Sequence, residues 1–338
     1  MKEKNKHIVK AKKSFIWIGV GAVALFGLLA FFNYCVDWFQ TDGEKDLSHL
    51  YGQEGIAVAD GRLYYCDVLR GNALCSYRLE TKETRFIEEA EGVIEKTGTG
   101  VYYIVENVVY RIKEDDLVEL CQIPSKKFTF IDCYEDAVYW IGREKKSEDK
   151  GNDRYTLEYV YKKELSRETE PKLLFHRKEE DIRDAVIAKD CLYLMTDQGI
   201  YRTGPEKEEL KKISEISGLE FLGDDTCVFI EESLNGKREC YYEVTPEGES
   251  KRLTENSGNT ATLFETELYY PWGNQLYKVS LGREEVQEVP IPKVPDYFWC
   301  VMEAYEGGVF MRVYLSYDIW HYDAGTGAVA CVIKQWEE

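Results

Sequence analysis

The sequence predicts an all-β fold, a seven-bladed β-propeller with four strands per blade, behind one N-terminal transmembrane helix. The composition favours strands, because aromatic residues make up 14% of the chain, Tyr alone occurs 25 times and Pro only 8 times. A short strand pattern also recurs seven times, and three further apolar runs accompany each copy. The formal net charge of −19 argues against a nucleic-acid-binding protein.

The N-terminal segment has the pattern of a signal anchor. Residues 1–13 form a basic tail in which six Lys face one acid, Glu3, and residues 14–35 contain no charge over a length that spans a bilayer as a helix. Lys residues before an apolar span favour a cytoplasmic N-terminus. A cleaved signal peptide is the alternative, but no small-residue cleavage site follows the span. We therefore expect single-pass attachment to the cell membrane through residues 14–35, a juxtamembrane linker over 36–53 and an extracytoplasmic propeller over 54–338.

The repeat is centred on an aliphatic residue that follows a turn and precedes aromatic residues. The seven copies place this residue at Leu63, Val101, Val138, Leu192, Val228, Leu268 and Val309. The intervals are 38, 37, 54, 36, 40 and 41 residues, and an insertion in the third repeat explains the long one. Each copy reads as strand b of a blade, between an earlier strand a and later strands c and d. We therefore expect most Tyr side chains to pack between blades.

The repeat units resemble a known propeller family. VYWIG, LYYCD and LYYPW, each followed by a Tyr-basic pair such as LYK or VYR, are similar to the YWTD propeller of low-density-lipoprotein-receptor-type proteins. They resemble more closely a bacterial extracytoplasmic family of unknown function that is described by its likeness to that propeller. The resemblance implies architecture only, since no loop motif matches the receptor's ligand contacts. The receptor propeller has six blades, so a six-bladed ring is the alternative to seven.

The sequence contains no recognisable catalytic or metal-binding motif. The four His are far apart, and neither HExxH nor GxSxG occurs. Acidic pairs such as Asp132 with Glu135 are expected by chance among 62 acids. We therefore assign no catalytic residue, no metal ligand, no cofactor and no nucleic-acid partner. Among ten Cys, Cys66 and Cys75 are the one local pair for which a disulfide is considered, and whether they face each other depends on the turn between them.

The candidate binding residues lie on loops that vary between repeats. Because chain direction alternates in a blade, b–c and d–a loops share one face of a propeller. The b–c loops vary in length, whereas the a–b turns are uniformly tight. The longest carries the polar insertion REKKSEDKGNDRY from Arg143 to Tyr155. We choose Trp272, Arg70 and Arg143 as binding candidates on this face. For Trp272 and for Trp140, exposure would indicate a stacking platform and burial would indicate packing.

Three functions are compatible with this architecture. The first is a membrane-anchored extracytoplasmic propeller that binds a protein or glycan partner at the cell surface. The second is an extracellular hydrolase or lyase with its site at the channel mouth, and the third is a scaffold of an envelope complex. Converging carboxylates with raised pKa would favour the enzyme. An exposed aromatic or apolar patch would favour the binding protein, and a charged, featureless mouth would favour the scaffold.

Overall fold

The computed structural model describes residues 55–335, apart from residues 126, 148–153, 167–169, 177–181, 189–190, 204–209, 216–217, 223–226, 233–237, 245–248, 255–259, 274, 283–288, 292–298 and 314–315. Gly52–Glu338 form one compact unit. No helix in the described part of the chain is long and apolar enough to cross a membrane. The anchor predicted at 14–35 and the linker predicted at 36–53 lie outside that part.

The described residues form seven antiparallel sheets, and each sheet contains four strands that are consecutive in the chain. Sheet 1 contains β1 (Ile56–Ala59), β2 (Arg62–Asp67), β3 (Ala73–Arg78) and β4 (Thr84–Glu88), and sheet 2 contains β5 (Val93–Thr97), β6 (Gly100–Val105), β7 (Val108–Lys113) and β8 (Asp116–Gln122). Sheet 3 contains β9 (Phe128–Tyr134), β10 (Ala137–Ser147), β11 (Arg154–Glu164) and β12 (Lys172–Phe175), and sheet 4 contains β13 (Ile182–Ala188), β14 (Cys191–Thr196), β15 (Gly199–Thr203) and β16 (Lys211–Ser214).

Sheets 5 to 7 follow the same plan. Sheet 5 contains β17 (Gly218–Leu222), β18 (Cys227–Glu232), β19 (Arg238–Val244) and β20 (Ser250–Arg252), and sheet 6 contains β21 (Thr262–Phe264), β22 (Glu267–Trp272), β23 (Gln275–Ser280) and β24 (Val289–Ile291). Sheet 7 contains β25 (Trp299–Tyr305), β26 (Gly308–Val313), β27 (Ile319–Asp323) and β28 (Val329–Ile333). A short 3-10 helix, Val68–Arg70, joins β2 to β3. The predicted all-β propeller architecture is confirmed, with one sheet for each sequence repeat.

The position of each repeat within its sheet also agrees with the prediction. The seven aliphatic residues that define the repeat each occupy the second position of a second strand. In sheets 4 and 7 every residue of the second strand is buried. Fourth strands are much more exposed, as in β4 and β8. Strands covered on both sides by neighbouring sheets therefore read as continuous apolar runs, whereas the outer strands are polar.

Seven apolar clusters lie between the sheets. Six of these clusters of described residues combine side chains from two sheets that are consecutive in the chain, and the seventh combines the last sheet with the first. In that last cluster Phe310 and Ile319 of sheet 7 pack with Leu63 and Tyr65 of sheet 1. First strands contact the first strands of neighbouring sheets, β25 contacting β1 and β1 contacting β5, so the first strands lie innermost.

Two details of the sequence interpretation need correction. The insertion at 143–155 is not simply a loop, because residues up to Ser147 and from Arg154 continue the pairing of β10 with β11. Cys66 and Cys75 are both free thiols. Their register explains this, since Cys66 lies opposite Leu74 and Cys75 opposite Tyr65. The two thiols consequently point to opposite sides of sheet 1 and cannot form a disulfide.

Candidate functional site

The face that carries the b–c loops, here called the b–c face, differs from sheet to sheet. Strands β6 and β7 are joined by two residues, Glu106–Asn107. The 3-10 helix between β2 and β3 is capped at its N-terminus by Asp67, whose side chain accepts from the Leu69 N–H, and at its C-terminus by Gly71 with φ 70°. Sheet 3 has the longest hairpin, with eleven residues in each of its two central strands. Loop variation of this kind is typical of a recognition surface on a rigid scaffold.

Trp272 is exposed on the b–c face. It ends β22 opposite Gln275, and 47% of its surface is accessible. The next residue, Gly273, has φ 57°, and no atom lies within 4 Å of the place where its Cβ would be. An indole on a tight, uncrowded turn can contact a partner without rearrangement of its neighbours. The structure therefore gives Trp272 the exposure that a stacking platform requires.

Trp140 has the opposite environment. Only 1% of its surface is exposed, and its ring stacks on Tyr161 with centroids 5.5 Å apart. It belongs to the apolar cluster between sheets 2 and 3. Trp140 is therefore a packing residue in the structure.

Arg70 lies at the exposed end of the 3-10 helix. Its Nε is 3.5 Å from Asp67 Oδ2, and its side chain is more than half exposed. Its neighbour Leu69 is 57% exposed. Sheet 1 therefore presents a cation and an apolar side chain side by side on the b–c face.

Arg143 is placed differently from the expectation. It lies within β10, and its Nε donates to Glu158 Oε1 at 2.9 Å. The other oxygen of that carboxylate accepts from the Ile182 N–H of sheet 4 at 2.6 Å. Arg143 thus holds a carboxylate that ties sheet 3 to sheet 4. The three candidates lie on three different sheets, and Arg143 has a structural role that the sequence did not reveal.

The sequence analysis missed a set of polar side chains on the innermost strands. They occupy equivalent positions on the first strands of their sheets, each opposite the third residue of the second strand, which is aromatic in all four cases: Glu95, Asp132, Thr262 and Glu303. A signal was present, because each lies seven residues before that aromatic partner. Apolar residues such as Ala57 and Val186 occupy the same position in other sheets. The set therefore does not form a complete ring.

Two members of this set join neighbouring sheets by the same contact. Glu303 accepts from the Val58 N–H at 3.5 Å, and Thr262 Oγ1 accepts from the Ala304 N–H at 2.9 Å. In each case the side chain accepts a hydrogen bond from the backbone of the first strand of the next sheet around the molecule. Lys96 also donates to the Glu303 carboxylate. Burial raises the pKa of Glu303, and the Lys96 charge partly opposes that effect.

Asp132 is also held by hydrogen bonds. Its Oδ1 accepts from Thr97 Oγ1 at 2.6 Å, from Thr99 Oγ1 at 2.5 Å and from the Cys133 N–H at 2.6 Å. Burial raises its pKa, while these donors lower it. Glu135 lies in the following turn with φ 45°. Asp132 Oδ1 therefore serves as an acceptor that joins sheet 3 to Thr97 and Thr99 of sheet 2.

Glu95 is a third carboxyl group on the innermost strands whose pKa is raised. Burial and, to a smaller extent, the negative charge of Asp184 on β13 together raise the pKa of Glu95 to about 7. A carboxyl group that titrates near neutrality can take up or release a proton under physiological conditions. Among the residues that the structure describes, no group of three or more His, Cys, Asp and Glu side chains is arranged to hold a metal ion.

Comparison with known proteins identifies the fold and nothing finer. No family model matches the chain, and no curated protein matches its sequence. Acylaminoacyl peptidase of Pyrococcus horikoshii is structurally similar, with a TM-score of 0.57 at 12% identity over 83% of this chain and 52% of that chain. PorZ of Porphyromonas gingivalis, described as a bacterial surface component of the type-IX secretion system, gives 0.51 at 10% identity over 80% of this chain and 38% of that one.

A chain of a nidogen/laminin complex has a TM-score of 0.42 at 12% identity, over 70% of this chain and 90% of that chain. The present chain thus spans about half of the peptidase and less of PorZ. At these identities the likeness to the peptidase and to PorZ shows the fold alone, and with the seven four-stranded sheets the class of protein is a β-propeller.

Proposed function

We propose that this chain is a membrane-anchored extracytoplasmic β-propeller that binds a protein or glycan partner at the cell surface through its b–c face. The observation that carries the proposal is the exposed indole of Trp272 at a tight hairpin turn. Large aromatic side chains are common energetic centres of binding surfaces. The exposed Leu69 and Arg70 of sheet 1 add an apolar and a cationic contact to the same face.

We also infer that the seven sheets close into one seven-bladed ring. The apolar cluster between sheet 7 and sheet 1 supports this inference, because it resembles the clusters between all other consecutive sheets. Both of these sheets consist of four strands that are consecutive in the chain. Closure then depends on side-chain packing and not on strand exchange.

The location follows from the N-terminal sequence. We infer an uncleaved helix over residues 14–35, with the N-terminus in the cytoplasm, because six Lys precede an uncharged span. N-terminal sequencing of the protein from membranes tests the inference. A mature chain that starts between residues 30 and 45 would contradict it.

The binding function is tested by comparing variants of the full-length chain in capture experiments with the envelope fraction. Partners captured by the natural protein should be reduced by roughly tenfold with Trp272→Ala. Phe86→Ala is the matched control, since Phe86 is 40% exposed but lies on the outer strand β4. Equal capture by the two variants would refute a binding role for Trp272.

A hydrolase or lyase is a second candidate, and the near-neutral pKa of Glu95 favours it. Glu95 lies on β5, one of the innermost strands, and these strands would line the channel of a closed ring. The test is turnover of glycan and peptide substrates by the natural protein and by Glu95→Gln. Activity that is lost in this variant would support the enzyme, and activity unchanged in it would exclude Glu95 as an acid or base.

A further inference from the structure

We propose that the contact between sheet 7 and sheet 1 is an acid-sensitive seam, which opens when His321 is protonated. The seam is the apolar cluster in which Phe310 and Ile319 pack with Leu63 and Tyr65. This inference goes beyond the proposed binding function and uses only the ring closure inferred above. It depends on three observations: the position of His321 on the seam, the groups that hold its ring, and the burial that opposes a positive charge there.

His321 lies on the side of sheet 7 that faces sheet 1. It is paired with Phe310 between β26 and β27, and residues that lie directly opposite in an antiparallel pair share one side of the sheet. Phe310 is 1% exposed and belongs to the seam. The rings of His321 and Phe310 stack with centroids 4.6 Å apart and planes at 28°. The imidazole is therefore packed directly on the seam.

Tyr305 holds the edge of the imidazole. Its hydroxyl oxygen is 2.8 Å from His321 Nε2, and the centroid of its ring is 5.3 Å from that of Phe310 with the planes at 20°. Tyr305 also packs against the seam. A Cβ on Gly307 would be 2.6 Å from the Tyr305 hydroxyl, so the glycine in the following turn leaves the room that this side chain needs. The three rings therefore form one compact group, in which the imidazole is the ring that titrates near neutral pH.

The surroundings of His321 oppose a positive charge. Burial lowers the pKa of His321 below its ordinary value of 6.5, and the negative charge of Asp323 raises it by less. Hydrogen bonds from Thr326 lower the pKa of Asp323, so that carboxylate is ionised in mild acid and burial of the imidazole still outweighs its attraction. Once Nε2 carries a proton it can only donate, and the Tyr305 hydroxyl loses it as an acceptor.

The other titratable groups that face the seam either keep their charge state in mild acid or act in the opposite direction. The titratable and charged side chains there are Tyr65, Cys75 and Tyr77 of sheet 1 and Glu303, Tyr305 and Arg312 of sheet 7. Burial raises the pKa of the three Tyr side chains and of the Cys75 thiol, so all four are neutral below about pH 8. Arg312 remains a cation, as does Lys96, which donates to Glu303.

The direction of the switch follows from linkage between proton binding and opening. Because the closed seam lowers the pKa of His321, the open seam binds the proton more tightly. The stabilisation of the closed seam is complete above pH 6.5, the ordinary value, and is lost as the pH falls through the lower pKa of the closed state. Burial raises the pKa of Glu303, so protonation of Glu303 favours the closed seam and cannot cause the opening. Mild acid should therefore loosen sheet 7 from sheet 1 through His321.

Two buried thiols of sheet 1 report on the seam. Cys75 belongs to the seam, Cys66 belongs to the cluster between sheets 1 and 2, and both are 0% exposed. Opening of the seam exposes Cys75 alone, whereas global unfolding exposes both thiols. Arg70 lies between them, so trypsin places them on different peptides. The ratio of their labelling rates therefore isolates the seam, because a change of pH affects the chemistry of both exposed thiols alike.

The experiment labels the full-length chain in nanodiscs with N-ethylmaleimide at pH 7.5 and pH 5.5, and peptide mass spectrometry gives both rates. We expect the ratio of the Cys75 rate to the Cys66 rate to rise by roughly threefold or more in acid. His321→Phe keeps a ring on Phe310 but cannot be protonated, so its ratio should stay constant. His321→Gln replaces this variant if thermal unfolding shows that the Phe variant does not fold.

His176→Phe is the matched control. His176 also stacks on a tyrosine, Tyr159, with centroids 4.3 Å apart, and its Nδ1 is 3.1 Å from the Glu158 carbonyl oxygen. It follows β12 of sheet 3 and is not part of the seam. Its variant should therefore show the same rise in the ratio as the natural protein.

Several results would overturn the proposal. They are a ratio that does not change with pH in the natural protein, a rise that persists in the His321 variant, and a rise that His176→Phe removes to the same extent. Fast labelling of Cys75 alone at pH 7.5 would mean that the seam is not closed, and the inferred ring closure would fail with the switch. Partner capture by Trp272 is measured separately, so the proposed binding function stands or falls independently of these results.

Discussion

At the scale of single residues, the fate of each buried polar group depends on the hydrogen bonds available to it. Asp132 has three donors on one oxygen. Glu303 has the ammonium of Lys96 and a backbone N–H. Glu95 is half-buried and has the like charge of Asp184 near it. The three carboxyl groups are therefore expected to respond differently to pH and to substitution.

Glu95 should make the protein less stable as the pH rises. Its pKa is about 7 in the folded protein and lower in the unfolded chain, so folding favours the protonated form. The associated stability is complete below about pH 4.5 and is lost as the pH rises to about 7. Glu95→Gln should therefore be more stable than the natural protein by about 1–3 kcal/mol at pH 8, and similar to it at pH 4. Urea unfolding at the two pH values measures this, and an equal difference at both would contradict it.

Gly308 should tolerate no side chain. Its φ is 144°, and a Cβ would be 1.8 Å from the carbonyl oxygen of Tyr322. Gly308→Ala is expected to destabilise the protein by more than about 3 kcal/mol, because the backbone of β26 or β27 must move. Gly61→Ala is the control, since Gly61 has φ 69° but open space around it, and it should cost about 1–2 kcal/mol. Thermal unfolding of the two variants measures the difference: Gly308→Ala reports the cost of steric overlap, and Gly61→Ala reports the cost of backbone strain alone.

At the scale of elements, each sheet changes character from its inner to its outer strands. The second strand GVFMRV is buried along its whole length, whereas β4 is mostly exposed. At the position opposite the third residue of the second strand, Thr262 and Glu303 each accept a hydrogen bond from the backbone of the next sheet. The predicted repeat located the second strands correctly, because a strand that is covered by neighbouring sheets on both of its sides has a continuous apolar run in its sequence.

Thr262 should contribute through its hydroxyl. Thr262→Val keeps the side-chain shape but leaves the N–H of Ala304 without its acceptor, so we expect a loss of about 1–3 kcal/mol in unfolding free energy. Thr262→Ser retains the hydroxyl and should lose less. Chemical denaturation of the two variants measures the difference, and a larger loss for the Ser variant would show that the methyl group matters more.

At the scale of the whole molecule, the contact between sheets 7 and 1 joins the two ends of the described chain. Arg312 is fully buried and donates to the Cys66 carbonyl at 2.7 Å. The Val68 N–H donates to Gln335 Oε1 at 2.7 Å, and the Gln335 N–H donates to Asp318 Oδ1 at the same distance. Side chains of sheet 7 and its C-terminal extension thus satisfy backbone groups of sheet 1.

Loss of this contact should affect the unfolding of the entire propeller. Arg312→Met removes the hydrogen bond to Cys66 and the contact of the guanidinium with the Tyr317 ring, 5.4 Å away, and should cost about 2–4 kcal/mol. Arg78→Met is the control, since Arg78 is exposed on β3. Calorimetry should show one transition at lower temperature for the first variant. A separate early transition would mean that sheets 7 and 1 unfold independently of the rest.

The sequence by itself determined the repeat, the strand order and the apolar character of the second strands. These properties follow from local alternation and turn residues, which depend on neighbours in the chain. The sequence also placed Trp272 at a tight turn, and the exposed indole in the structure is consistent with a position at the end of a hairpin.

Only the tertiary structure decided the role of Arg143, the geometry of Cys66 and Cys75, and the contacts of Glu95 and Glu303. Each depends on a partner that is distant in the chain, such as Asp184 for Glu95 or Val58 for Glu303. The extended pairing of β10 with β11 likewise appeared only in the structure, because the polar composition of the insertion concealed it. Register and burial between sheets arise from packing of the complete molecule, and no single repeat contains that information.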